Sequence, residues 1–483
     1  MDRNIEKLEP TIVWEYFKAL TQIPRPSKQE EKVRAYLIAT AEQMGWDYSV
    51  TAIGNVVIRK PATDKSTARK KIILQAHMDM VPSKTKESQH NFATDPIDAY
   101  IDGEWVTANQ TTLGADNGMG VAMGLAILKS NNLKHNDIEL LITTDEEAGM
   151  TGAFGITGDE VQGEILLNLD SEQDDEVCIG CAGGINTNAS YAITYQAAQA
   201  NQQSLKIELK DLFSGHSGVD IPLGRANAIK EIANLLIQLK NQLFDFELVS
   251  ISGGKLRNVI PSYCEVIVNA LPEQIKLIQN FIQQCAQDLT QEFSETDPNL
   301  KLDCTLVETA QQVINSEQSA KLILALASVF NGVWRMNNKL GIAETSSNLG
   351  VISTTPISIE IVTLQRSSMH APKMKAATSV ASCFKQIGAT IEHSDCYPGW
   401  QPNTESPALA VVKQTYLELF GTAIHVGATH GGLECGLIMD KYPRMDAVSI
   451  GATICFPHSP NEKVNIKSVA KNWHFLTTLI EKL

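Results

Sequence analysis

The 483-residue sequence predicts an α/β fold: a layered sheet domain interrupted by an α+β insertion. Three observations carry this. Short β-rich runs alternate with helical patterns up to about residue 186, alternating strands and longer amphipathic helices replace them from 187, and the first style returns after CYPGW at 396–400. Strands that alternate with helices build a layered sheet, because each helix covers the sheet while the chain crosses to the next strand. The expected division is therefore 1–186 and 397–483 as one discontinuous domain, with 187–396 inserted into it as a lid.

The elements follow in order. PTIVWEYFKALTQI (10–23) and QEEKVRAYLIATAEQMG (29–45) have helical apolar spacing. GNVVIRK (54–60), KKIILQAHMDM (70–80), IELLITTD (138–145) and EILLNLD (164–170) read as strands. Between the second and third of these, GADNGMGVAMGLAILKSN (114–131) opens a helix with small residues. Gly114, Gly118, Gly120 and Gly124 have the small-xxx-small spacing that pairs helices in membranes; here it predicts close packing of a helix on the sheet. In the insertion, SLKIELKDLFSGHSG, FELVSIS and NVIPSYCEVIVNAL alternate as strands around the helix GRANAIKEIANLLIQLKNQ, and the helix EQIKLIQNFIQQCAQDLTQEF follows. A second series comes next: LKLDCTLVE, SAKLILALASVFNGV, NLGVIST, ISIEIVTLQRSS and MKAATSVASCFKQIG. The two series suggest two ferredoxin-like halves, the second starting at LKLDCTLVE. The chain closes on the helix IKSVAKNWHFLTTLIEKL.

Composition limits the function. At 43% hydrophobic and 20% charged residues the chain has the make-up of a soluble globular protein. A net charge of −15 argues against nucleic acid or an anionic membrane as partner and suits a protein that binds cations. No stretch has transmembrane length, and the N-terminal residues lack a signal-peptide core. Nine scattered cysteines, an odd number, argue against a disulfide framework, and Cys178-Ile-Gly-Cys181 has no second pair to complete a zinc ribbon. The expected setting is the reducing cytoplasm.

LLITTDEEAGMTGA (140–153) poses the chemical question, since Asp145, Glu146 and Glu147 stand together at the end of an apolar strand. Ionised carboxylates next to a core are costly unless something positive compensates them, so the choice lies between a solvated acidic loop and a cation site. His77 and Asp79 share one face of their strand, a spacing at which a carboxylate can orient a metal-binding imidazole. Asp116 precedes a turn at a helix start, Asp170 ends a strand, and His458 lies in a proline-flanked loop. Taken singly these have ordinary structural readings: a core histidine, a helix cap, a turn residue, a solvated loop. Together they supply two imidazoles and at least three carboxylates, most of them at strand ends, where ligand sites of layered sheets gather. That set suffices for two zinc ions sharing one carboxylate.

His77-Met-Asp79, Gly114-Ala-Asp116-Asn117-Gly118, Asp145-Glu146-Glu147-Ala-Gly149, Asp170 and Pro457-His458-Ser459 resemble, in order and spacing, the co-catalytic zinc aminoacylase, carboxypeptidase and dipeptidase family. The resemblance runs over nearly the whole chain, and TSSNLGVIS, TLQRSS and HGGLECG point to its dipeptidase members. It implies a zinc-peptidase-like three-layer domain with Asp116 bridging two Zn2+, for which Co2+ or Mn2+ can substitute. His77 and Asp170 would complete one site, Glu147 and His458 the other, and Asp79 would orient His77. Glu146 would be the general base that takes a proton from the attacking water and returns it to the leaving amine. For that the chain must leave strand geometry, which the Ala148-Gly149 step would allow; Asp145 is left as solvated or structural. Three ligand carboxylates against four positive charges leave the centre near +1, enough to lower the pKa of a bound water toward ~7.

From the insertion, the resemblance implies that His216 donates to the developing oxyanion, while Asn258 and Arg366 hold the substrate, Arg366 at its terminal carboxylate. The Gly-rich turn His430-Gly431-Gly432, opening a helix, offers N–H groups that suit a carboxylate. His430 and Glu434, four residues apart, could also form a separate metal site, which the resemblance disfavours. The implied substrates are unblocked dipeptides, including Xaa-His such as β-alanyl-histidine. The alternatives are an amidohydrolase of N-acyl amino acids with the same metals, or a non-catalytic peptide-binding relative. A homodimer is compatible with the sequence, although an insertion containing both halves could supply His216 within one chain.

Overall fold

The computed structural model describes residues 2–64 and 69–483. The chain divides into two units, one of residues 1–180, 400–428 and 433–483, the other of 181–399 and 429–432. The second unit thus starts a few residues before 187 and gains a short return segment that the sequence did not suggest.

The first unit is built on an eight-stranded sheet. Its order is 47–50, 56–60, 138–143, 72–77, 165–168, 446–449, 176–181 and 425–429. The strands Ile72–His77, Ile138–Thr143, Ile165–Asn168 and Asp446–Ser449 run parallel, and Val56–Lys60 lies antiparallel at one side. These are the four strand runs read from the sequence plus one from the C-terminal segment. Their near-continuous apolar character has a cause, because both faces are covered. Ile72, Leu74, Ile138, Leu140 and Leu167 share a core with Phe17, Val121, Leu125, Val412 and Leu476 of the helices Thr11–Thr21, Ala115–Lys129, Pro407–Phe420 and Ile466–Lys482. The alternate residues Val57, Ile73, Leu141 and Leu166 are buried as well. Helix Ala115–Lys129 is buried on nearly every side. A Cβ on Gly120 would lie 2.6 Å from the Leu169 carbonyl oxygen, and one on Gly124 2.5 Å from the Leu140 side chain, so the small residues do bring this helix close to the sheet.

The second unit carries a nine-stranded antiparallel sheet whose main path runs 301–307, 203–210, 264–270, 246–253, 342–354, 358–367, 183–192 and 390–397, with 332–337 paired beside 342–354. Each half has the ferredoxin-like order, but the halves are nested rather than consecutive. Lys301–Val307 closes the first half by pairing with Gln203–Lys210, so it does not open the second. The second half takes its first strand from Gly183–Ala192, ahead of the whole first half, and its last from Thr390–Tyr397. Strand patterns reveal periodicity but not partners; pairing is decided by long-range burial, which no local window contains. Helices Ala228–Asn241, Pro272–Glu292, Ser316–Ser328 and His370–Lys385 contribute Ile232, Ile278, Leu322 and Phe384 to the core of this unit.

Candidate active site

In the first unit, the candidate ligands are brought together where the parallel strands end. His77 closes its strand and is almost fully buried. Its Nε2 lies 3.2 Å from Asp116 Oδ1 and 3.5 Å from Asp170 Oδ1, and its Nδ1 lies 3.3 Å from Asp79 Oδ1. His458 Nε2 lies 3.0 Å from Asp116 Oδ2 and 3.0 Å from Glu147 Oε2. Each oxygen of Asp116 therefore faces a different histidine. Two overlapping trios result, His77–Asp116–Asp170 and Asp116–Glu147–His458, and Glu146 joins His77 and Glu147 in a third.

Local chain geometry explains the placement. Asp116 sits at a non-helical kink (φ −82°, ψ 110°) just after Gly114 at φ +71°, with its carboxylate turned to the two histidines. The strand Ile138–Thr143 ends before the acidic run, and the turn out of it comes at Asp145 (φ +52°), earlier than the expected Ala148-Gly149 step. Glu146 and Glu147 then start a single helical turn, Glu146–Gly149. Asp145 is buried rather than solvated, and its carboxylate receives the Thr151 hydroxyl. Asp79 does more than face His77: it accepts the backbone N–H groups of Glu146 and Glu147 at 3.0 and 3.2 Å and the Ser27 hydroxyl at 2.8 Å.

Four supporting residues stand around the ligands, of which the sequence suggested neither Glu462 nor Arg25 and gave Asn117 and Glu434 no such part. Buried Glu462 accepts four successive backbone N–H groups, from Leu113, Gly114, Ala115 and Asp116, at 2.7–3.2 Å. Buried Arg25 donates to the carbonyls of Met78 and Asp79 at 3.1 and 2.8 Å, and to that of Gly114. Asn117 holds the Asp170 carboxylate and the Leu169 carbonyl. Glu434 accepts from Gln75 Nε2 and Thr143 Oγ1, each at 2.6 Å. The only advance signals were a proline-flanked arginine and a glutamate four residues after His458, and neither is specific.

The crowded carboxyls perturb one another's electrostatics. Burial pushes the Glu146 carboxyl well above the usual carboxylate range, with neighbouring Asp170, Glu147 and Glu434 adding to the rise against the opposing pull of His77. Burial likewise raises Asp170 to about 6. Asp116 moves the other way despite burial, through its contacts with His458 and His77. His458 is held up to about 11 by Asp116 and Glu147. Glu147 Oε1 is buried with no hydrogen-bond partner. Tetrahedral zinc with bonds of about 2.0–2.2 Å sets its ligand atoms roughly 3.3 Å apart, close to the separations in both trios. The donor set, imidazole nitrogen and carboxylate oxygen only, fits two divalent cations sharing Asp116.

In the second unit a separate cluster forms around Arg366. Its Nε donates to Ser217 Oγ at 3.3 Å and its Nη1 to the Tyr397 hydroxyl at 3.1 Å, while its Nη2 lies 3.2 Å from His216 Nε2. The Val219 N–H donates to His216 Nδ1 at 3.2 Å, so a neutral His216 carries its proton on Nε2. That nitrogen and the guanidinium are then two donors facing the same space. His430 Nε2 is 2.8 Å from Ser346 Oγ; burial, then the nearby Arg366 and His216, push this histidine down to about 3 and keep it neutral. The Gly431 N–H is taken by Thr429 Oγ1 at 3.0 Å, which removes one of the N–H groups the sequence offered to a carboxylate; Gly432 lies in the same segment, 429–432. Asn258 is exposed and engages Ser217 only through its backbone carbonyl, so its side chain is not drawn into the cluster. His430 and Glu434 have different partners.

Strand ends that deliver overlapping histidine and carboxylate trios define the class as a metal-dependent hydrolase. Residues 73–482 match the family model of peptidase family M20/M25/M40. The chain is 39% identical over 481 residues to the cytosol non-specific dipeptidase of Escherichia coli strain K12, covering 99% of each chain. Its structure resembles that of aminoacylhistidine dipeptidase from Vibrio alginolyticus, with a TM-score of 0.90 and 42% identity over 99% of this chain and 98% of that one. The aminopeptidase PepT of Bacillus cereus shares the fold at a TM-score of 0.58 and 16% identity, over 98% of this chain and 99% of that one. The chain belongs to peptidase family M20/M25/M40 and is a hydrolase of the metallopeptidase kind.

Proposed function

We propose that this chain is a dizinc dipeptidase that hydrolyses unblocked dipeptides, Xaa-His dipeptides such as β-alanyl-histidine among them. The observation that supports it most is the division of the Asp116 carboxylate between His77 and His458, each histidine also facing a further carboxylate. His77 and Asp170 would hold one cation, Glu147 and His458 the other, with Asp116 shared. Bound there, two divalent cations act as Lewis acids toward the peptide carbonyl and make water a stronger acid. Asp79 fixes the ring of His77 and, through the N–H groups of Glu146 and Glu147, the direction of both glutamates. Glu146 accepts the proton of the attacking water and passes it to the leaving amine. The half-buried position of its side chain beside His77 and Glu147 supports this role.

The second unit, the lid in this reading, supplies the remaining recognition. His216 offers Nε2–H to the carbonyl oxygen as it gains charge, and Arg366 takes the C-terminal carboxylate. Arg366 is buried, donates to the Ser217 and Tyr397 hydroxyls and has no carboxylate partner among the described residues, which suits a guanidinium whose counter-ion arrives with the substrate. Among the described residues no helix is long and apolar enough to cross a membrane. The name of the Escherichia coli relative, a cytosol dipeptidase, supports the cytoplasm as the setting, and a homodimer is testable by sedimentation.

The test combines metal analysis with rates. Two equivalents of zinc per chain and turnover of Xaa-His dipeptides, abolished by chelators and restored by zinc, cobalt or manganese, are expected. Glu146→Gln should keep both metals and lose about 10²–10⁴-fold in kcat. Substantial turnover by that variant removes the proton-transfer role, and a preference for N-acyl amino acids over dipeptides overturns the substrate class.

A further inference from the structure

Arg366 belongs to a row of residues that crosses four strands of the second unit. Ser346 is paired with Arg366, Arg366 with Gly184, and Gly184 with Tyr397. Residues directly opposite one another project to the same face of a sheet, so the row forms one band of side chains with a gap at the glycine. The gap is filled from the side. A Cβ on Gly184 would lie 2.6 Å from Tyr397 Cε1 and 2.8 Å from both its Cζ and its hydroxyl oxygen. The tyrosine ring thus occupies the space that any other residue at 184 would need, and this lets its hydroxyl reach Arg366 Nη1 at 3.1 Å. Lys373, fully buried, holds the Tyr397 backbone carbonyl and sets its ammonium 6.0 Å from the ring centre.

Hydrogen-bond direction gives this contact its consequence. A guanidinium only donates, so the Tyr397 oxygen is the acceptor and its own proton is still to be placed. No acceptor among the described residues takes it. At this point, then, two groups with protons to give stand side by side: the Arg366 guanidinium and the Tyr397 hydroxyl. An anionic ligand would satisfy them together, and a carboxylate has two oxygens with which to do so.

We propose that Tyr397 is a substrate-binding residue whose hydroxyl donates to the C-terminal carboxylate of the dipeptide beside Arg366, and that Gly184 is the residue that admits its ring. This rests on the reading of Arg366 as the carboxylate ligand and adds to it a second donor and the backbone position that makes it available.

The metal-loaded enzyme carries the test, with KM and kcat measured for an Xaa-His dipeptide and the inhibition constant measured for its C-terminal amide. Tyr397→Phe removes one oxygen and should raise KM for the free acid about 10-fold, with kcat within about 2-fold, while the inhibition constant of the amide shifts by at most about 2-fold. Gly184→Ala, which displaces the ring, should reproduce the same pattern. The double variant should be no worse than Tyr397→Phe alone, since both changes remove one interaction. Equal weakening of acid and amide, or an unchanged KM for the acid in Tyr397→Phe, overturns the proposal. The two layers separate through Arg366→Lys. If that variant loses the preference for the acid while Tyr397→Phe keeps it, Tyr397 has no part in binding and the Arg366 reading stands. If the unmodified enzyme binds acid and amide alike, the Arg366 reading fails and the role of Tyr397 falls with it.

Discussion

Glu462 illustrates how much of the candidate site depends on residues with no chemical part in it. Its two carboxylate oxygens receive four consecutive N–H groups leading into Asp116, so a single buried anion shapes the loop that presents the shared carboxylate. Replacing it with glutamine leaves one acceptor oxygen and turns an amide group toward N–H donors. Glu462→Gln should cost about 2–3 kcal/mol in denaturant unfolding and weaken metal binding in titrations. Unchanged stability would mean that solvent can satisfy those N–H groups. His430 makes a second prediction at this scale. Burial lowers its folded pKa to about 3, below the ordinary 6.5, so the unfolded chain binds a proton more readily than the folded one. Its contribution to stability is complete above pH 6.5 and is lost as the pH falls toward 3. Urea midpoints across that window should fall more steeply for the unmodified protein than for His430→Asn, and parallel curves would count against a buried neutral ring.

At the scale of elements, the helix Ala115–Lys129 and the turn after Ile138–Thr143 did different jobs in making the sequence readable. The small residues of the helix predicted close packing, and Gly120 and Gly124 meet a carbonyl oxygen and a leucine side chain directly. Gly120→Ala should therefore cost about 1–3 kcal/mol by overpacking, because the new methyl meets the Asn117 side chain and the Leu169 carbonyl, and the carbonyl is backbone that cannot rotate away; thermal or urea unfolding would read it. The turn was expected in the right stretch and at the wrong residue. Asp145 takes the left-handed conformation, stabilised by Thr151, and a non-glycine residue at φ +52° cannot be read from residue type. The nested order of the second unit was missed for a related reason. Lys301–Val307 looks the same to a local pattern whether it opens a half or closes one.

For the whole molecule, the converging charges make metal and stability one question. Asp116, Glu146, Glu147 and Asp170 approach one another with two imidazoles among them, an arrangement that self-repulsion opposes until cations are bound. Removing metal with a chelator should lower the thermal midpoint, and excess zinc should restore it, as linkage requires of any ligand that favours the folded state. The midpoint of metal-free Glu146→Gln should exceed that of the metal-free unmodified protein, since one of the crowded carboxyls is gone. A metal-free midpoint that ignores this substitution would mean that folding does not raise the proton affinity of Glu146.

The sequence by itself determined the α/β class, the strand runs of the first unit and the residues that meet there, from His77 to His458. These follow from burial periodicity and from a spaced set of residue types that resembles the family's. Only the tertiary structure decided which oxygen of Asp116 faces which histidine, that Glu462 and Arg25 hold the loops beneath them, that the two halves of the second unit are nested, and that Tyr397 reaches Arg366 across Gly184. Each of these depends on groups far apart in the chain meeting at hydrogen-bond distance, and such meetings are set by the packing of whole elements rather than by the residues near either partner.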